Sequence, residues 1–427
     1  MLRQILPVFS LLLGSALLLI GGGLHGLLLP VRGTIEGFDS LSLGLLGTGW
    51  ALGYVAGCVI TARIVARVGH IRAFSAMAAL AAVAVLLNAL VVLPWAWIAL
   101  RAVIGFCFAA TAMIVESWLS ERTDPSNRGR VFGVYTMVNL AASTAGQMLL
   151  ALGDPAGFFF FALTAIFYCL ALVPTALSNA STPAPLASVQ LNLRRIWRNS
   201  PVAVFGVFWV GVSNAAFGTL AAVYAQNAGL VLTAVALFSS IPILAGAVMQ
   251  LPVGQLSDRM DRRGVLAGVA LLALLTDGAF LVLAPEGQVL NFVLAALLGG
   301  SIFAMYPVIV AHANDHAEPG TAIQISGGLL LVYGVGAIIG PLAGGWVMGA
   351  YGFRMLFGVT AAAHLATLLF TLWRMRKRDA VPEPLKSSFQ PLNAGRTSAL
   401  QTAEIVQPDP DAEAEAEETP APPQAPT

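Results

Sequence analysis

A few ionisable side chains lie inside long apolar stretches of this sequence, and they are the first candidates for chemistry. Arg101 and Glu116 share one stretch, Asp277 lies in a second, and His25 lies in a third. A charge at the centre of a bilayer costs about 2.5 to 3.5 kcal/mol on insertion scales, so such a group is a functional candidate by default. Arg101 would bind an anionic or polar solute, whereas the other three could carry protons. Packing is the alternative for all four, and we favour it for Asp277 and His25, and a structural latch for Glu116.

Neutral polar side chains form a second set of candidates. Asn139, Ser143, Thr144 and Gln147 follow one another at spacings of four, one and three, which gives a polar stripe on an otherwise apolar helix. Such a stripe either bonds to neighbouring helices or faces a cavity. A cavity with many amides, hydroxyls and aromatic rings and one cation suits a neutral or weakly anionic amphipathic solute. The predicted substrate-binding or coupling residues are Arg101, Glu116, Asn139, Gln147, Asn214, Gln250, Tyr306 and Tyr333.

Motifs for other kinds of chemistry are missing from the sequence. It contains no Gly-x-x-x-x-Gly-Lys phosphate loop, which argues against an ATP-driven pump within this chain. His312 and His316 are four residues apart with Asp315 between them, but the following Glu318-Pro319-Gly320 favours an exposed turn over a metal site. No nucleophile, base and metal set clusters anywhere. We therefore predict no cofactor, no metal and no enzymatic activity.

The composition indicates that lipid surrounds most of the chain. Hydrophobic residues make up 58% of the sequence and charged residues 10%, with a mean hydropathy of +0.82. The net charge of +1 and the scattered small basic clusters give no sign of a nucleic-acid partner. The three cysteines, Cys58, Cys107 and Cys169, all lie in apolar segments, where they resemble small buried hydrophobic residues.

Apolar segments long enough to cross a membrane must position the candidate residues. At about 20 residues per crossing, 427 residues can supply roughly a dozen helices. The first apolar stretch is too long for a signal peptide, and we interpret it as an uncleaved helix. Charge-free windows, divided at Gly, Pro and polar clusters, predict twelve helices near residues 6–29, 41–62, 73–93, 96–119, 131–152, 157–177, 201–225, 234–257, 265–284, 289–311, 323–348 and 353–374.

The distribution of basic residues predicts the orientation and the division of the chain. Sixteen Lys and Arg residues follow even-numbered helices, against two, Arg32 and Arg354, after odd-numbered ones, so both termini are expected in the cytoplasm. A polar, proline-bearing stretch separates the helices six and six. The predicted regions are an N-terminal bundle (1–178), a cytoplasmic central loop (179–200), a C-terminal bundle (201–376) and a disordered, acidic cytoplasmic tail (377–427).

A cytoplasmic loop motif occurs twice, each time between the second and third helices of a half. Its residues are Arg67, Gly69 and Arg72 in the first copy and Gly254, Asp258, Arg259 and Arg263 in the second. Both copies resemble the signature loop of the major facilitator superfamily, Gly-x-x-x-Asp-Arg-x-Gly followed by basic positions. Three residues depart from that pattern, namely Ala62 and Ala66 in the first copy and Asp261 in the second.

Two further stretches strengthen the resemblance. Leu100-Arg101 with Gly105 resembles the arginine motif of the superfamily's fourth helix, and Val115-Glu116-Ser117-Trp118-Leu119 with Asn127-Arg128-Gly129-Arg130 resembles its YcaD-like subgroup. The resemblance implies an all-α fold of two six-helix bundles facing each other across a central cavity lined by helices 1, 4, 7 and 10. Gly336, Gly340 and Gly344 in the eleventh helix predict a close approach by another helix.

The expected function is secondary active transport of a small organic solute by rocker-switch alternating access, with or without proton coupling. The alternatives are a transporter-like membrane sensor or partner-binding protein without flux, and a polytopic membrane enzyme. We expect a monomer in the lipid bilayer of the inner (plasma) membrane.

Overall fold

Twelve long helices make up most of the described chain. The computed structural model describes residues 9–123, 127–177, 193–317, 321–377, 381–382, 386–387 and 389. The long helices are α1 (Phe9–Ile35), α2 (Ser40–Val68), α3 (His70–Leu90), α4 (Pro94–Arg122), α5 (Arg128–Leu149), α6 (Phe159–Ala176), α7 (Pro201–Asn227), α8 (Leu232–Arg259), α9 (Arg262–Leu283), α10 (Gln288–Asn314), α11 (Ala322–Tyr351) and α12 (Leu356–Met375). A short linker helix, Leu193–Asn199, precedes α7.

The twelve helices correspond to the twelve predicted segments. In the described part of the chain, eleven are long and apolar enough to cross a membrane by length and composition. The twelfth, α5, is less apolar because its first turn contains Arg128 and Arg130 and because it carries the polar stripe. The predicted central loop and tail lie largely outside the described residues.

The helices form two bundles with the same internal arrangement. In the first bundle α1 packs on α5 and α6, α2 packs on α4, and α3 packs on α4 and α6. In the second bundle α7 packs on α11 and α12, α8 on α10, and α9 on α10 and α12, which repeats every pairing six helices later. The repeated packing is that of the predicted fold of two six-helix bundles.

Small residues allow the helices of each bundle to approach closely. A Cβ atom on Gly53 of α2 would overlap the Ala102 carbonyl group of α4, so the two backbones touch there. In the second bundle Gly336 and Gly340 of α11 lie against the α7 backbone at Phe208 and Val212. The close approach predicted from the α11 glycines is therefore confirmed, with α7 as the partner.

Contacts between the two bundles join the ends of the helices that lie away from the basic loop motifs. We call the end at which α2 ends and α3 begins the basic end. Near the opposite end, Thr48 of α2 donates to the Ile338 carbonyl oxygen of α11 at 2.8 Å. Gln226 of α7 donates to the Val31 carbonyl oxygen of α1 at 3.4 Å. These bonds hold the bundles together at that end.

Candidate functional site: a cavity between the two bundles

A cavity of about 260 Å³ lies between the bundles. Most of its lining comes from α1, α2, α4 and α7, with smaller parts from α5, α6, α8 and α11. From α10 only Phe303 belongs to the described lining, although the family resemblance implies a lining role for that helix. The volume of the cavity and its enclosure between the bundles suit a small organic molecule.

Arg101 is the one cationic side chain among the described residues of the cavity lining. It lies seven residues after the first residue of α4, Pro94, or about 10 Å from the opposite end at 1.5 Å per residue. Its Nη1 atom lies 3.2 Å from Nδ1 of His25, a fully buried residue of α1. A guanidinium only donates hydrogen bonds, so His25 Nδ1 accepts this one and the ring carries its proton on Nε2. His25 thus positions Arg101, a partnership that sequence reasoning missed.

Glu116 lies behind the cavity wall, toward the basic end. Its side chain is fully buried, and the Tyr135 hydroxyl group donates to its Oε1 atom at 3.5 Å. Tyr135 and Asn139 of α5 line the cavity, and Asn139 accepts from the Ser15 hydroxyl group of α1 at 2.9 Å. Tyr135 therefore links the carboxyl group to the cavity. Its position four residues before Asn139 extends the polar stripe by one helical turn, a signal that the sequence offered.

Gln147 connects the bundles at the opposite end of the cavity. Its Oε1 atom accepts a hydrogen bond from the Ser240 hydroxyl group of α8 at 2.8 Å. Asn214 of α7 and Tyr333 of α11 line the second bundle's side of the cavity. The structure thus brings five of the eight predicted residues to the cavity, namely Arg101, Asn139, Gln147, Asn214 and Tyr333.

The other predicted residues of the second bundle lie outside the described cavity lining. Gln250 of α8 donates to the Phe303 carbonyl oxygen at 3.2 Å and so joins α8 to α10. The Tyr306 ring is buried edge-on against Tyr333, with centroids 5.6 Å apart. Both residues thus pack behind the cavity wall, against the lining residues Phe303 and Tyr333.

Aromatic rings that were not predicted cover much of the first bundle's side. Trp50 and Tyr54 stack 4.9 Å apart on α2, and Phe108 meets Tyr168 edge-on at 5.6 Å. All four line the cavity. The spacing of four between Trp50 and Tyr54 places them on one helical face, but periodicity alone does not tell a cavity from a packed interface.

The first copy of the loop motif lies exposed at the basic end. The Arg67 and Arg72 side chains are exposed. Gly69 between them has φ +81°, and its N–H donates to the Val65 carbonyl oxygen at 2.8 Å. This left-handed conformation favours glycine and lets α3 begin directly where α2 ends.

The second copy of the motif contains a chain of ion pairs. Arg262 bonds to Asp258 at 3.1 Å and to Asp315 at 2.6 Å, while Arg263 bonds to Asp261 at 2.9 Å. Asp261 also caps α9 by accepting from the Arg263 N–H group. Partial burial alone would raise the pKa of Asp261, but these bonds from Arg263 lower it overall. Gly254 is buried and Arg259 is exposed.

The expectation of an exposed turn is wrong for His312 and Asp315, whereas residues 318–320, on which it was based, lie outside the described residues. His312 is 7% exposed, and the Asp315 side chain is 2% exposed in its ion pair with Arg262. The Asp315 side chain is buried because Arg262, at the start of α9, reaches the end of α10. Among the residues that the structure describes, no group of three His, Cys, Asp or Glu side chains could hold a metal ion.

Asp277 forms a buried polar cluster in the second bundle, away from the cavity lining. Its carboxylate lies 2.6 Å from His364 Nδ1 and accepts from the Thr360 hydroxyl group at 2.8 Å, which joins α9 to α12. The Asp277 and His364 side chains are 0% and 1% exposed. This geometry fits the packing role favoured for Asp277.

Comparison with known proteins gives the family. The model of the Major Facilitator Superfamily matches residues 11–327 and 203–408. An uncharacterised MFS-type transporter, YcaD, of Salmonella newport (strain SL254) is 25% identical over 384 residues, covering 89% of this chain and 98% of that protein. An uncharacterised MFS-type transporter of Enterobacter sp. (strain 638) is 26% identical over 388 residues, covering 89% and 98%.

Solved structures share the fold. The nucleoside transporter NupG superposes with a TM-score of 0.75 at 15% identity, covering 88% of this chain and 100% of that chain. A bacterial homolog of the lysosomal transporter Spinster, in an inward-facing and occupied conformation, gives 0.72 at 14% identity, with 89% and 97% covered. The repeated bundles, the cavity between them and the match along the sequence agree, and the chain belongs to the Major Facilitator Superfamily.

Proposed function

We propose that this protein transports a small, neutral or weakly anionic, amphipathic organic solute by alternating access. One observation carries the proposal: among the described lining residues, one guanidinium group, Arg101, accompanies aromatic rings, amides and hydroxyl groups in a wall whose remaining residues are aliphatic, proline or glycine. Rings such as Trp50 and Phe108 would stack on the apolar part of the solute. Asn139, Asn214 and Tyr333 would bond its polar groups, and Arg101 would bind a carboxylate or another electron-rich group.

We further propose that the basic end faces the cytoplasm of a cell whose inner membrane the protein spans as a monomer. The support is the excess of basic residues at that end. In this orientation, the hydrogen bonds from Thr48, Gln226 and Ser240 close the outer side of the cavity. The conformation would then be the inward-facing one. Transport would require these contacts to break while the basic ends approach each other.

Proton coupling would run through Glu116, whose carboxyl group reaches the cavity through Tyr135. A proton on Glu116 would remove the negative charge next to that hydroxyl group and change how the wall bonds to the solute. Two alternatives compete with this proposal. The protein either transports the solute without moving protons, or binds the solute without transporting it, as a sensor would.

Two measurements in sequence test the proposal. A thermal-shift screen of the purified protein against nucleosides, sugars, aromatic carboxylates and aliphatic amines should identify ligands among uncharged or anionic aromatic compounds, because ligand binding stabilises the folded state. Flux of the best ligand into proteoliposomes, with and without a pH gradient, then separates transport from sensing. Exclusive stabilisation by amines, or specific binding without flux under any gradient, contradicts the proposal. Unchanged proton-driven flux in Glu116→Gln would exclude Glu116 from coupling.

A further inference from the structure

Three residues that follow α12, Lys386, Ser387 and Phe389, lie on the basic end of the second bundle, and we call them the docking segment. The Lys386 ammonium group donates to the carbonyl oxygens of Asp258 and Met260 at 3.2 and 2.6 Å. Those carbonyls stand at the end of α8, where the last turn of a helix lacks backbone partners. Lys386 therefore caps α8, with its positive charge at the negative end of the helix dipole.

Ser387 completes the buried ion pair of the loop motif. Its N–H and hydroxyl groups donate to Asp315 Oδ1 at 2.9 and 2.8 Å, and its carbonyl oxygen accepts from Arg262. Asp315 and Arg262 bond each other at 2.6 Å, with side chains 2% and 1% exposed. A buried ion pair is stable when hydrogen bonds satisfy its remaining polar atoms, and the docking segment supplies three of them.

Phe389 covers the glycine of the loop motif. Its N–H donates to Asp258 Oδ1 at 3.1 Å, and its ring packs against Gly254, where a methyl group would overlap it. Gly254 and Asp258 are both signature positions of the second copy. The docking segment therefore binds the loop motif itself.

The surface under the docking segment is the one that α8 turns toward the first bundle. At the opposite end, Ser240 of α8 bonds to Gln147 of α5 in the first bundle. Asp258 follows Ser240 by eighteen residues, which is five turns of 3.6 residues, so regular helix geometry, applied across Pro242 and Pro252, places both on the same face of α8. Gly254 lies about 40° from that face. When the basic ends approach, this part of α8 is the part that meets the first bundle.

We propose that the docking segment is an autoinhibitory wedge, which holds the cavity open toward the basic end and must leave α8 before that end closes. The wedge binds in the open state only, because the docking segment and the first bundle cannot occupy the same face of α8. Its tether is short, since Lys386 follows the last residue of α12, Met375, by eleven residues. Short tethers give effective concentrations of roughly millimolar, so weak contacts suffice. The binding of the docking segment to α8 does not depend on the proposed function. Its effect on closure of the basic end rests on the proposed alternating access.

Two truncations that differ only in the docking segment test the wedge. Truncation after Ala380 removes it, whereas truncation after Pro391 keeps it and still removes the acidic run. In a cysteine-free background, spin labels at Val68 of α2 and Arg376 after α12 report the separation of the basic ends by pulsed electron resonance in liposomes, without any solute. We expect the full chain and the longer truncation to give the same long distance. The shorter truncation should add a population several ångströms shorter.

A substitution on the receiving surface provides an independent test. Gly254→Ala should displace Phe389 and add the same short distance, whereas Gly268→Ala on α9, whose methyl group meets no atom within 4 Å, should not. A synthetic peptide of residues 381–391 should restore the long distance to the shorter truncation, and the same peptide with Phe389→Ala should not. Identical distance distributions in both truncations and in Gly254→Ala would overturn the proposal, since Gly268→Ala reports any general effect of added methyl groups.

Discussion

At the scale of single residues, the contact between His25 and Arg101 explains how a charge is kept in the membrane-spanning part of the protein. Arg101 Nη1 has a buried acceptor in His25 Nδ1, and the cavity leaves the rest of the group facing the solute site. The arginine is thus held in place without an acidic partner in that contact. A ligand with a carboxylate or carbonyl oxygen would find a donor whose position is already fixed, which lowers the entropic cost of binding.

We predict that Arg101→Gln weakens ligand binding by about tenfold to a hundredfold, which corresponds to the loss of a charge-assisted hydrogen bond worth about 1.5 to 3 kcal/mol. Arg101→Lys keeps the charge but loses the planar fork, so an intermediate loss is expected. Isothermal titration with the ligand from the thermal-shift screen measures both. The control is Arg354→Gln, an exposed arginine between α11 and α12 of the second bundle, outside the described cavity lining. Wild-type affinity in Arg101→Gln would remove Arg101 from the binding site.

For the Asp277 cluster we predict an effect on stability and none on ligand binding. Asp277→Ala removes the buried partner of His364 Nδ1, whereas Thr360 keeps the Phe357 carbonyl oxygen as an acceptor, and breaking a buried pair costs about 3 to 5 kcal/mol. Thr276→Val, next to it on α9, removes a hydroxyl group bonded within the same helix and should cost much less. Thermal unfolding in detergent compares the variants. A large drop in affinity with unchanged stability would give Asp277 a functional role instead.

At the scale of helices, α7 and α11 depend on glycine where their backbones touch. Gly340→Ala would push a methyl group into the Val212 carbonyl group, and overpacking of this kind costs about 1 to 3 kcal/mol. The same change at Gly268 meets open space and should be neutral or stabilising, because alanine favours helices more than glycine does. We therefore predict a lower melting temperature for Gly340→Ala alone. Equal melting temperatures would mean that the helices separate without cost.

The N-terminal cap of α9 should make stability depend on pH. The bonds from Arg263 lower the pKa of Asp261 below its ordinary value of 3.8 despite partial burial. A lowered carboxyl pKa adds stability above that ordinary value, and the added stability is lost as the pH falls through the folded-state pKa. Below about pH 4 the wild type should thus lose more stability than Asp261→Asn, as measured by thermal unfolding from pH 7 to pH 3. Parallel pH profiles would contradict a role for the charge of this cap.

The sequence predicted the positions of the helices better than it predicted which side chains contact each other, and the reason is physical. Twelve segments followed from charge-poor stretches divided at Gly, Pro and polar clusters, because a charge inside the bilayer is costly and therefore rare in a helix that crosses it. Asn139 and Gln147 of the polar stripe on α5 line the cavity, although the pattern itself left open whether the stripe faces a cavity or bonds to neighbouring helices. Pairings such as His25 with Arg101, or Asp277 with His364, join residues 76 and 87 positions apart, so no local pattern encodes them. Gln250 and Tyr306 were predicted to line the cavity but lie outside its described lining. A polar residue in an apolar helix has the same sequence pattern whether it faces a cavity or a neighbouring helix.

At the scale of the whole molecule, the two bundles are separate packing units joined by contacts at one end. The bond between Gln147 and Ser240 and that between Thr48 and Ile338 lie on different interface helices, α5 with α8 and α2 with α11. Each bundle has a tightly packed interior of its own, whereas polar bonds supplement the contact between bundles. Separation at this end would therefore break these hydrogen bonds and the close packing of α2 on α11 around Gly44 and Gly345, and would leave the interior of each bundle intact.

Cross-linking the two bundles at this end tests whether they must separate there during transport. With cysteines at positions 147 and 240 in a cysteine-free background, a short bifunctional methanethiosulfonate, which forms a disulfide with each cysteine, should stop flux in proteoliposomes, because the cavity can then open only toward the basic end. A thiol reductant, which cleaves these disulfides, should restore flux. The matched control joins two helices of one bundle, with cysteines at Tyr224 and Asn291, whose side chains bond at 3.1 Å. Cross-linking there should leave flux largely unchanged. Full flux through the cross-linked 147–240 pair would show that the bundles need not separate at this end, and alternating access by rocking would then be excluded.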